Sequence, residues 1–214
     1  MITRTLSCFA KMLVVGALVA APAQPGVVLF DDFESGSLSP SKWLIPGSGQ
    51  VVTDPLNANN KALSFGQLKA GGDLFSVPLD LSKGPINISF DYLGLARGTN
   101  IGTDTGGFVI VDLPNSFAGY VLVGTSVSGF PIFSNMLNLT PGVWHHISMT
   151  FAPSLVQAGN GSKVVFEQWS GSPNPAGNAY FDNIQVSTTP EPGSMLLAGA
   201  GILLVLVSRA RVRG

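Results

Sequence analysis

The residues that could do chemistry in this chain fall into a few groups. The carboxylates Asp31, Asp32 and Glu34 stand within four positions of one another, and Asp182 alternates with Tyr180, Ile184 and Val186. A carboxylate on an apolar strand face is costly unless it is paired, so Asp182 requires backbone amides or a cation. His145 and His146 are adjacent, which on a strand sends their side chains to opposite faces. They are the two histidines of the sequence and Cys8 is its one cysteine, so a zinc site lacks ligands. Between the terminal segments there are two glutamates, Glu34 and Glu167. A retaining glycosidase needs an acid and a nucleophile about 5 Å apart, and along the chain only the Asp31, Asp32 and Glu34 group offers such spacing, in an opening strand rather than a cleft. Gly47-Ser48-Gly49 lacks the flanks of a nucleophile elbow. The chain therefore reads as non-enzymatic, with no catalytic residue assigned. Trp43, Trp144, Trp169 and Tyr120 are large aromatic faces of the kind that stack on sugar rings.

Those residues sit on short alternating segments. Ile86, Ile88, Phe90 and Tyr92 alternate with Asn87, Ser89 and Asp91, the period of a half-buried strand. Val143, Ile147, Met149 and Phe151 share a face opposite Trp144, His146, Ser148 and Thr150, and Tyr180, Ile184 and Val186 share one with Asp182. Further strands are expected over residues 27–33, 50–53, 62–65, 74–77, 107–111, 120–123 and 163–169, separated by turns such as Asp54-Pro55 and Pro141-Gly142. No segment of the body has helical periodicity free of glycine and proline over three turns. About ten short strands without a covering helix must bury their apolar faces against each other. The expectation is all-β: an antiparallel β-sandwich of jelly-roll type over residues 24–187.

The two ends read differently. Arg4 and Lys11 precede the apolar run Met12–Ala20 and the small-residue site Ala21-Pro22-Ala23, so residues 1–23 are expected to be a signal peptide. Cys8 leaves with it. At the other end Pro190-Glu191-Pro192 leads into thirteen residues, Met195–Val207, that carry no polar side chain, then into Arg209, Arg211 and Arg213. The prolines stop the preceding strand, the run predicts a single hydrophobic transmembrane helix over 193–208, and the arginines are expected to stay cytoplasmic. This order of features resembles the PEP-CTERM sorting signal, which implies an exosortase as partner and a tail over 188–214 that sorts the protein to the bacterial envelope, surface or exopolysaccharide matrix.

The stretch from Phe30 to Trp43 resembles the opening of concanavalin A-like domains. Pro141-Gly-Val-Trp-His-His-Ile147 is similar to a laminin-G strand start, and Tyr180-Phe-Asp-Asn-Ile-Gln-Val186 resembles the last strand of jelly-roll carbohydrate-binding modules. The last resemblance implies adjacent first and last strands and a structural Ca²⁺ held by Glu34 and Asp182, with Asp31 or Asp32 completing the shell. The eleven acids and six bases of residues 24–189 leave a formal charge of −5, against −1 for the whole chain. So few scattered cations exclude nucleic acid as a partner. The expected function is that of an exported, surface-sorted protein that binds carbohydrate; the alternatives are an extracellular glycan-active enzyme and a purely structural matrix protein.

Overall fold

A computed structural model describes residues 25–65, 72–95, 107–124, 132–135, 139–168 and 178–189. The chain order is β1 (Gly26–Asp31), β2 (Gln50–Asp54), β3 (Asn57–Ser64), β4 (Gly72–Phe75), β5 (Leu79–Asp80), β6 (Ile86–Leu95), β7 (Phe108–Asp112), β8 (Gly119–Gly124), β9 (Ser134–Asn135), β10 (His145–Phe151), β11 (Asn160–Gln168) and β12 (Asn178–Thr188), with one 3₁₀ turn at Pro153–Leu155. The fold is the all-β sandwich that the alternation predicts. One sheet runs β10-β6-β12-β3-β2 with β1 also on β12, and the other runs β4-β11-β7-β8-β9 with β5 on β11. All pairings are antiparallel except β8 with β9.

The core lies between the sheets because each contributes one apolar face. Ile86, Ile88, Phe90 and Tyr92 of β6 pack with Phe181, Ile184 and Val186 of β12, against Val109 and Val111 of β7 and Val164 and Phe166 of β11. Phe166 joins the layers. Its ring centroid is 5.1 Å from that of Phe181, 5.6 Å from Phe90 and 6.2 Å from Trp43, the edge-on separations that favour aromatic pairs.

Trp43 is not a surface platform. It is 1% exposed, sits over Phe33 with ring centroids 6.1 Å apart, and makes a bridge to Ser76. Burying an indole N–H requires an acceptor, and Asp31 supplies it: Trp43 Nε1 donates to Asp31 Oδ2 at 2.6 Å. Lys42 Nζ and the Phe33 amide donate to Asp31 Oδ1 at 3.1 and 3.2 Å. Asp31, 3% exposed, is thus the post that fastens the segment after β1.

The second difference from the alternation concerns β12. A shift in its register with β6 falls between Asp182 and Gln185, and Asn183 has a φ of 49°. This bulge inserts one residue, which asparagine tolerates in the left-handed region. Before it Phe181 faces the core; after it Ile184 and Val186 do. Tyr180 and Asp182 therefore lie on the outer face, and Asp182 does not share a face with Ile184 and Val186.

The helix expected over 193–208 lies outside the described residues, and among the described residues no helix is long and apolar enough to cross a membrane.

Asp31→Ala should lower unfolding stability by about 2–3 kcal/mol, the cost of leaving a buried N–H and an ammonium without their acceptor. Trp43→Ala should cost about 3–5 kcal/mol through the cavity it leaves. Urea unfolding followed by fluorescence or circular dichroism checks both.

Candidate functional site

The outer face of the β10-β6-β12-β3-β2 sheet carries two parallel rows of side chains. The first is apolar and aromatic: Trp144, Leu93, Leu95, Tyr180, Ala62 and Val52 form a cluster separate from the main core. The second is polar. His146 Nδ1 donates to Asp91 Oδ1 at 2.7 Å, and Asn183 Nδ2 donates to Asp91 Oδ2 at 2.8 Å. The Asn183 amide donates to Asp182 Oδ1 at 2.7 Å. Asn60 Nδ2 then donates to both Asp182 Oδ2 at 3.0 Å and Asp54 Oδ2 at 3.2 Å, and Trp144 Nε1 reaches Asp54 Oδ2 at 3.1 Å.

The last contact fixes the shape of the face. Trp144 directly precedes β10 at one edge of the sheet, while Asp54 ends β2 at the other. In a flat sheet those strands would stand roughly 19 Å apart, four strand spacings. A hydrogen bond between them requires the β2–β3 hairpin to curl over the face. Asp54 holds the turn itself, accepting from the Leu56 amide at 2.8 Å. Tyr180 is consequently buried, while Trp144 is half-buried and His146 is exposed.

Asp182 is the electrostatic centre of the row. It is 3% exposed, and its pKa is raised, first by burial; the hydrogen bonds from Asn60 and the Asn183 amide pull the other way, and the charges of Asp91 and Glu34 add to the rise. The structure brings Glu34 near Asp182, as expected, but gives both other partners: Glu34 Oε1 accepts from the Lys61 amide at 2.9 Å. Asp32 Oδ1 accepts from the Glu34 amide at 3.3 Å. Both oxygens of Asp31 are engaged, by Trp43 and by Lys42. Among the described residues no group of three or more histidines, cysteines, aspartates or glutamates is placed to hold a metal ion.

Of the aromatic candidates, Trp144 lies on this face. Tyr120 lies on the other sheet, partly buried, its hydroxyl accepting from Gln157 Nε2 at 2.5 Å. Trp169 lies outside the described residues, as do the sorting residues Pro190, Glu191, Pro192, Arg209, Arg211 and Arg213. His145 and His146 diverge as their adjacency requires, His145 Nε2 bonding the Thr140 carbonyl oxygen at 2.8 Å. Sequence reasoning missed Asp54, Asn60, Asp91 and Asn183. Only the last left a signal: Phe181 and Ile184 are both apolar but three residues apart, which an unbroken strand cannot place on one face.

Comparison with known proteins finds the PEP-CTERM protein-sorting motif over residues 188–212. The match covers Pro190, Glu191, Pro192, Arg209 and Arg211 and ends one residue before Arg213. No curated protein matches the chain significantly. Among solved structures, a xylan-binding domain from Paenibacillus barcinonensis is similar at 11% identity over 80% of this chain and 99% of that one, with a TM-score of 0.47. A cleaved adhesin domain of Lys-gingipain from Porphyromonas gingivalis is similar at 12% identity, 77% and 99% coverage and a TM-score of 0.48. A carbohydrate-binding module of Cellvibrio mixtus lichenase 5A, solved with cellotriose, stands at 14%, 77% and 99%, with a TM-score of 0.37. At these values the likeness assigns no ligand.

Asn60→Ala removes the donor shared by Asp54 and Asp182 and should cost about 1–3 kcal/mol. Because Asp182 already ionises above its usual range, losing Asn60 raises its folded-state pKa further, so the penalty should be small near pH 4 and larger near pH 7. Melting curves of wild type and Asn60→Ala across that window check it. Since hydrogen bonds already serve these carboxylates, the wild type should melt at the same temperature in EGTA as in millimolar calcium.

Proposed function

We propose that this chain is an exported, non-enzymatic β-sandwich protein, delivered to the bacterial envelope or extracellular matrix by its C-terminal sorting motif, where the outer face of its first sheet contacts polysaccharide. The motif at residues 188–212 is the observation that carries the reading. Residues 1–23 act as the signal peptide, residues 193–208 hold the tail in the membrane until an exosortase processes it, and the sandwich is thereby placed outside the cytoplasm.

The outer face supports the ligand class. A pyranose has an apolar face and a rim of hydroxyls, and the sheet sets an aromatic row beside a row of carboxylates and amides. Trp144, half-buried beside the hairpin, and the exposed His146 are the residues that would meet the sugar: the indole stacks while the imidazole and Asp91 exchange hydrogen bonds with hydroxyls.

The exported protein should lack residues 1–23 by mass spectrometry, and replacing Pro190 and Pro192 with alanine should change its fractionation in a host that has an exosortase. On immobilised polysaccharides the protein should be retained without releasing reducing ends. Trp144→Ala and His146→Ala should each weaken retention about tenfold, roughly 1.4 kcal/mol. Released reducing ends would instead favour a glycan-active enzyme, and absence of retention a purely structural matrix protein.

A further inference from the structure

The outer face of the second sheet holds another group of acids. On β11, Lys163, Val165 and Glu167 point away from the core that holds Val164 and Phe166. Glu167 is the cross-strand neighbour of Asp73 on β4 and of Phe108 on β7. Val165 stands between Phe75 and Ile110, and Lys163 opposite Asp112. Glu167 is thus a half-buried carboxyl with a second carboxyl directly across from it on one side and a phenyl ring on the other. Like charges directly opposed across two strands are destabilising.

Among the described residues, the charged groups around the pair do not neutralise it. Lys163 is committed elsewhere: its Nζ donates to the Ser116 carbonyl oxygen at 2.9 Å and lies 4.8 Å from the centre of the Phe117 ring. Asp112, 3% exposed, adds negative charge from β7, and its Oδ2 is buried without a hydrogen-bond partner. Among the described residues no lysine, arginine or histidine forms an ion pair with Asp73 or Glu167; the lysine ion pairs there are Lys42 with Asp31 and Lys83 with Asp80, and His146 contacts Asp91.

We propose that Asp73 and Glu167 form a proton-dependent latch on β4: a single proton resident on the facing carboxyls keeps this terminal strand seated on β11, and its loss loosens the strand. Burial, and then the charge of Asp73, push the pKa of Glu167 up to about 7, and burial also raises Asp73. β4 is the element that would respond, because it has four residues and ends the sheet. Beyond β11 its backbone is held by the Leu44 amide on the Phe75 carbonyl at 2.8 Å and the Ser48 amide on the Asp73 carbonyl at 3.1 Å. Loosening β4 therefore also releases the segment leading from Trp43.

The direction follows from proton linkage. The folded state keeps a proton on Glu167 that the unfolded chain gives up near 4.5, so the stability it contributes is fully present below about 4.5 and is lost as the pH rises through about 7. The full-length protein should show a melting temperature that falls by several degrees across this range, and the Leu74 and Phe75 amides should lose protection at alkaline pH beyond the ordinary base catalysis of exchange. In Glu167→Gln the fall should flatten. Asp73→Asn keeps Glu167 but removes the opposing charge, so the fall should shift to lower pH; it serves equally if Glu167→Gln does not fold. Carboxyl ¹³C resonances should show Glu167 titrating near 7 in wild type. A Glu167 midpoint near 4.5, or the same dependence of melting on pH in wild type and Asp73→Asn, would overturn the latch. Neither result bears on polysaccharide retention, which belongs to the opposite sheet.

Discussion

The single extra residue in β12 decides what this domain presents to its surroundings. β12 is bordered along one edge by β6 and along the other by two strands in succession, β3 beside Tyr180 and Phe181 and β1 beside Ile184 to Thr188. The bulge sits at the seam between those two partners. A continuous strand would have driven either Phe181 or the Ile184 and Val186 pair out of the core. With Asn183 in the left-handed region, both halves bury their apolar residues, and the residue before the bulge, Asp182, is turned outward where Asn60 and the Asn183 amide meet it. The seam also lets the carboxylate of Glu34, beyond the end of β1, reach the Lys61 amide on β3.

How much of this was legible in the sequence depends on the range of the interactions involved. Strand identity rests on neighbours two residues apart, and the alternation over Ile86–Tyr92 and 146–151 carries through to the buried and exposed faces of β6 and β10, whereas Val143, expected on the face of Ile147, precedes β10 and is exposed. Face assignment fails at β12 because alternation was extrapolated across Asn183. Trp43 was misread because an aromatic residue in a segment rich in serine and proline gives no sign that Asp31, twelve positions earlier, will accept its N–H. The polar row joins residues 90 and 122 positions apart, Trp144 to Asp54 and Asn60 to Asp182, through a hairpin that bends over the sheet. No local pattern encodes such a bend. The sorting tail is the reverse case: its order of features is local, and it was readable without any fold.

Both outer faces are shaped by a hairpin that leans onto them. The β2–β3 turn covers part of the first sheet through Asp54. On the second sheet the turn between β7 and β8 carries Phe117 across β11 to an edge-on contact with Phe75, ring centroids 5.6 Å apart. Phe117 remains 80% exposed, so this lean is held by one ring contact and the Lys163 ammonium rather than by a core. In the first hairpin Asp54 accepts from Leu56 and Asn60 of the hairpin itself and from Trp144 beyond it, and Asn60 also reaches Asp182. On the face for which we propose polysaccharide, polar groups held by such bonds would lose less entropy on binding.

The acidic balance of the domain makes partially buried carboxylates unavoidable, and the two sheets resolve them differently. On the first, donors share the burden: Asn60, the Asn183 amide, Asn183 Nδ2 and His146 distribute hydrogen bonds over Asp182 and Asp91, and those from Asn60 and the Asn183 amide partly offset the burial that raises the Asp182 pKa. On the second, the Lys163 ammonium is engaged by Ser116 and Phe117, the half-buried Glu167 faces the exposed Asp73 on one side and Phe108 on the other, and Asp112 is buried opposite Lys163. Where donors do not offset burial, the remaining way to lower the energy of a buried acid is to keep its proton. Donors on the first sheet pull against the burial that raises the Asp182 pKa, whereas on the second sheet burial and the charge of Asp73 act together on Glu167. The two outer faces thus treat their acids differently: hydrogen-bond donors work against burial on the first, and a retained proton is the means that we propose for the second.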